Sequence, residues 1–126
     1  MDRIIHNGKL VAVHIRRFPE KTTPVCAPTE ALQLILMNRP KGDIAKAHRH
    51  LPKKRVTSIL QECLIVMKGR IRYDLFDARK RCFKKIVVKE GEAMFISAVG
   101  HAVHFLEDSL VYELKNGPFI DDKKWL

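Results

Sequence analysis

The sequence predicts an all-β, antiparallel domain. Apolar residues recur with a period near two along most of the 126-residue chain, β-branched residues are frequent in those stretches, and turn-forming residues interrupt them at short intervals. Hydrophobic residues make up 46% and charged residues 30%, which suits a buried core and argues against disorder. The length is that of one domain and no linker composition divides it, so residues 1–126 are expected to form a single unit.

Turn chemistry delimits the strands in order. Asn7-Gly8 opens a strand over residues 9–17, and Pro19, Pro24 and Pro28 separate it from one over 31–38. The run from Asn38 to Gly42 precedes a strand over 44–50. Gly69 divides 61–68 from 70–77, and the Arg79-Lys80-Arg81 cluster precedes 84–89. Glu90-Gly91 leads into 93–96, Gly100 into 102–106, and Glu107-Asp108 into 109–115, which Asn116-Gly117-Pro118 closes. Residues 28–36 also admit a helix, with Thr29 as cap and Leu32 and Leu36 four apart. Residues 56–61 read as a flap after a basic run. Short strands with tight turns predict a sandwich or a barrel.

Lys and Arg number 24 against 14 Asp and Glu, a net charge of +10. Residues 1–63 hold 12 basic and 5 acidic side chains and 64–126 hold 12 and 9, so the excess runs along the chain. Its clusters, Lys53-Lys54-Arg55 and Arg79 to Lys85, lie in expected turns and are not interleaved with aromatics. A small anionic ligand is therefore favoured over nucleic acid, which is expected to be unlikely as a partner. The longest apolar run, Cys63 to Met67, is far too short to cross a membrane. No apolar block marks a signal peptide, and a cytoplasmic location without membrane attachment is expected. Cys26, Cys63 and Cys82 show no CxxC spacing and read as reduced thiols.

Of six histidines, His48 and His50 carry the most information. In a strand, residues two apart share a face, so both imidazoles point at one ion without backbone strain. Gly42 precedes His48 with five residues between, Glu62 precedes Gly69 with six between, and Gly91-Glu92 leads through Ser97-Ala98-Val99-Gly100 to His101. His104 is the rival to His101, and alternation puts the two on opposite faces. His6 reads as a loop residue and His14 as a strand residue.

This order resembles the cupin superfamily, with motifs G(X)5HXH(X)3–4E(X)6G and G(X)5PXG(X)2H(X)3N. Here eleven residues separate His50 from Glu62, and the second motif lacks its Pro and Asn. The resemblance implies a cupin-type double-stranded β-helix, a jelly-roll barrel, with His48, His50, Glu62 and His101 holding a divalent Fe, Mn, Ni or Zn ion. Leu32-Gln33-Leu34, Gln61-Glu62, Gly100-His101 and Glu113-Leu-Lys115-Asn-Gly-Pro-Phe119 further resemble small single-domain bacterial cupins found with cell-surface sugar and nucleotide-sugar pathways.

The function so implied is binding of a metal and an oxygen-rich, anionic or sugar-type small molecule. One alternative is a metal-independent nucleotide-sugar ketoisomerase or epimerase with His48 and His50 as catalytic acid and base. Another is a sugar- or anion-binding module without catalysis. Glu113 and Lys115 share a strand face and are pocket candidates, and the closing Trp125-Leu126 suggests docking, with a homodimer as the expected assembly.

Overall fold

The computed structural model describes Met1–Leu126 and contains ten strands and no helix. They are β1 (Asp2–His6), β2 (Lys9–Ile15), β3 (Thr23–Pro24), β4 (Ile35–Leu36), β5 (Gln61–Lys68), β6 (Arg70–Phe76), β7 (Cys82–Lys89), β8 (Ala93–Ser97), β9 (Gly100–Phe105) and β10 (Leu110–Lys115). All pairings are antiparallel. A five-stranded sheet runs β1-β2-β8-β5-β10 and a three-stranded sheet runs β7-β6-β9; neither closes into a barrel.

The all-β antiparallel expectation holds. All six strands from 61 to 115 lie within two residues of their expected ends, and β7 and β9 each begin two residues earlier than expected. Three local expectations need correction. The stretch 31–38 yields only Ile35–Leu36 as strand, and it is not helical. Residues 44–50 form no strand: every residue from 37 to 60 is exposed, and the sequence Ile-Ala-Lys-Ala-His-Arg-His offers no apolar face to bury. Conversely, β1 lies ahead of the Asn7-Gly8 turn, where both residues take positive φ.

The five-stranded sheet is covered on both faces. Its inner face, with Leu64 and Val66 of β5 and Met94 and Ile96 of β8, packs on Ile71, Tyr73 and Leu75 of β6 and Ile86 and Val88 of β7. The outer face, with Val13, Ile15, Cys63, Ala93 and Phe95, packs under Val25, Cys26 and Leu36. Burial on both sides explains why β2 reads as a continuous apolar run instead of an alternating one.

Gln61 ties the outer cover down. Its Oε1 accepts from the Leu32 amide at 2.9 Å, its Nε2 donates to Ser97 Oγ at 3.0 Å, and its own amide donates to Asn116 Oδ1 at 2.8 Å. Gln61 and Glu62 are adjacent in β5 and so face opposite sides of the sheet. That places Glu62 between the two sheets.

Gly69, in the turn between β5 and β6, sits at φ +92° with Ser109 and the Asp108 carbonyl pressed against it. A methyl group there meets backbone that cannot rotate away. Gly69→Ala is expected to lower stability by about 1–3 kcal/mol. Urea unfolding checks this; a stability within error of the parent contradicts the close approach.

Candidate functional site

The inner-facing residues at one end of the two sheets are polar. Glu62 is the second residue of β5, Glu113 and Lys115 lie on β10 with Lys115 in register opposite Glu62, and His101 on β9 faces them from the three-stranded sheet, opposite Leu75. His101 Nε2 lies 2.5 Å from Glu62 Oε1, so one ion pair bridges the two sheets. Lys115 Nζ stands 4.0 Å from Glu62 Oε2 and 3.6 Å from Glu113 Oε2.

The protonation of His101 follows from its partners. Its Nδ1 lies 3.0 Å from the Val99 carbonyl, which only accepts, so Nδ1 donates. Nε2 faces a carboxylate and must donate as well; the ring is therefore an imidazolium. Burial opposes that charge, but the bonds to Glu62 and to the Val99 carbonyl outweigh it and raise the His101 pKa. The same bond holds Glu62 below the usual carboxylate range against its own desolvation, with help from Lys115.

Tyr73 lies behind this pair, its ring centroid 5.9 Å from that of His101. It is fully buried, and its hydroxyl is the one buried side-chain polar atom without a hydrogen-bond partner. Desolvation, with Glu62 second, raises its pKa and keeps it protonated, a donor with no acceptor in the free protein. Sequence reasoning passes over Tyr73, because a tyrosine in an alternating strand reads as core.

In front of the pair opens a cavity of about 1130 Å³. Its far wall is the chain from Gly117 to Leu126, which crosses the end of the sandwich. Leu126 seats over Gly100, where a Cβ would come within 2.9 Å of Leu126 Cδ1. The lining carries four lysines (Lys80, Lys115, Lys123, Lys124) and four carboxylates (Glu62, Glu113, Asp121, Asp122), a balanced set apart from His101. The +10 excess therefore does not gather at the cavity.

Of the residues singled out by sequence, Glu62 and His101 come together and His48 and His50 do not join them. The latter two are exposed in the irregular segment, their rings 5.1 Å apart at centroids, and His48 Nδ1 donates to the Lys46 carbonyl at 2.7 Å. Without a strand at 44–50, the alternation that aims both rings inward is absent.

No three His, Cys, Asp or Glu side chains converge so as to hold a metal, and both nitrogens of His101 are engaged; as arranged, these residues do not fit the four-ligand set. His104 sits on the outer face at 3.1 Å from Asp74. His14 is buried at 2.8 Å from Glu92, and His6, at the end of β1, stacks on Phe83 at 4.1 Å. All three cysteines are free, and burial pushes the Cys63 thiol up to about 11.

Comparison with protein-family models, with curated proteins and with solved structures finds no match to this chain.

The pair makes stability depend on pH in both directions. His101, raised in the folded state, contributes fully below its ordinary value of 6.5, and this is lost as pH rises through the folded value. Glu62, depressed in the folded state, contributes above its ordinary value of 4.5 and loses that as pH falls through the folded value. The stability difference between the parent and His101→Gln is expected to peak between those two values at about 1–3 kcal/mol and to shrink on either side. Thermal unfolding across the pH range measures it. A difference independent of pH contradicts the imidazolium assignment.

Proposed function

We propose that the chain binds a small, hydroxylated, sugar-type molecule in the cavity at the end of the sandwich, with Glu62, His101 and Lys115 as its polar contacts. The observation that carries this is an inter-sheet ion pair standing on the wall of a cavity close in size to small-molecule sites. The balanced lining favours a neutral polyol over a strongly anionic ligand. Glu62 and His101 are each other's partners and neither is a free base, so both are assigned here to recognition of the ligand. Carboxylates and cationic donors suit hydroxyl groups, which donate and accept at the same atom.

The fold part of this reading is a jelly-roll relationship. Its support is that β5 pairs with β10 in one sheet while β6 pairs with β9 in the other, two nested ladders.

Saturation-transfer NMR against neutral pyranosides, uronates and sugar nucleotides is the test. Binding is expected to favour the neutral sugars and to weaken about tenfold in Glu62→Gln, the loss of one charged contact at about 1.4 kcal/mol. No binding across the panel, or binding indifferent to Glu62→Gln and to Lys115→Gln, overturns it.

A further inference from the structure

Residues 37–60 join β4 to β5 as a long connection with no strand or helix, and every one of them is exposed. Connections of this length without structure of their own are uncommon in compact domains and are usually functional or linkers. This one holds seven of the chain's Lys and Arg and a single carboxylate, so six of the ten net positive charges fall within it. The one carboxylate, Asp43, is already paired with Arg39. Lys41, Lys46, Arg49, Lys53, Lys54 and Arg55 form no ion pair with any part of the protein.

An evenly solvated surface mixes the two signs. Here the cations stand together without counter-charge, while the nearby cavity is balanced. Such a segment lowers its self-repulsion by meeting a chain of negative charges and releasing the counterions condensed on that chain.

We infer that residues 39–55 are a nucleic-acid-binding arm, against the sequence-based expectation, that engages the phosphate backbone without reading sequence; with no Phe, Tyr or Trp side chain for bases to stack on, its contacts are to phosphates alone. The occupant follows from the charge and from what the arm lacks. It has no helix or paired β-ribbon to enter a duplex groove, so base-edge readout has no element to perform it. A chain of phosphodiesters matches a chain of cations spaced along an irregular exposed segment, and neither needs a preformed groove. A membrane surface is the competing polyanion. It is less favoured because the arm's large apolar residues, Ile44 and Leu51, stand singly and form no face to insert. This inference is independent of what the cavity binds.

The test is fluorescence anisotropy of a labelled oligothymidylate of about 20 nucleotides, in EDTA, between about 50 and 300 mM KCl. With six cations engaged, the slope of log affinity against log salt is expected near about −4, and near about −2 once three are removed in Lys53→Gln/Lys54→Gln/Arg55→Gln. That variant is expected to bind at least about tenfold more weakly at the lowest salt. Its thermal transition should match the parent's, since the three side chains touch no core. Absence of binding at low salt overturns the inference. So does an affinity unchanged in the triple variant, or binding to phosphatidylserine vesicles without binding to the oligonucleotide.

Discussion

Glu62 and His101 meet across the gap between two sheets, and the end of the sandwich is organised by that contact. Each reaches it from a strand whose other inward residues are apolar: Leu64 and Val66 follow Glu62 in β5, and Val103 follows His101 in β9. A lone charge in that position would be costly to desolvate. Paired, and with the Val99 carbonyl taking the second imidazole proton, the two charges satisfy each other. The gap they span opens outward as the cavity.

Charge in this protein is partitioned. Inside the cavity, lysines and carboxylates balance; on the outer face of the three-stranded sheet, Asp74 is held by Arg72 and His104. Six of the ten net positive charges lie in the connection between β4 and β5, away from strands that need apolar partners. A strongly basic chain thus carries a nearly neutral pocket. Ligand selection at the cavity and attraction of a polyanion at the arm are separate physical problems solved on separate surfaces.

How much of this was legible in the sequence depends on whether local pattern and tertiary burial agree. From Gln61 to Lys115, alternation and turn glycines coincide with two-sided packing, and the strands there can be read directly. Alternation also puts His101 inward and His104 outward, as the structure does. The first half of the chain is different. β1 was hidden because only Ile4 of its five residues is buried, leaving no apolar face to read. Residues 44–50 look strand-like by position, yet their alternating residues are Lys46, His48 and His50, with nothing to pack. Order along the chain picked out Glu62 and His101 as functional but assigned them to a metal. Their direct pairing depends on the distance between two sheets, which spacing cannot express. Tyr73 was illegible for a related reason: its significance is a missing partner, a property of its surroundings.

Long-range nitrogen–proton correlation NMR of the histidine rings reads the protonation of His101 at each nitrogen. At the ordinary histidine pKa of 6.5 both nitrogens are expected to be protonated, and Glu62→Gln is expected to convert the ring to a neutral tautomer with its proton on Nδ1. A neutral His101 ring in the parent protein under those conditions, or a ring whose titration is unaffected by Glu62→Gln, would contradict the imidazolium assignment.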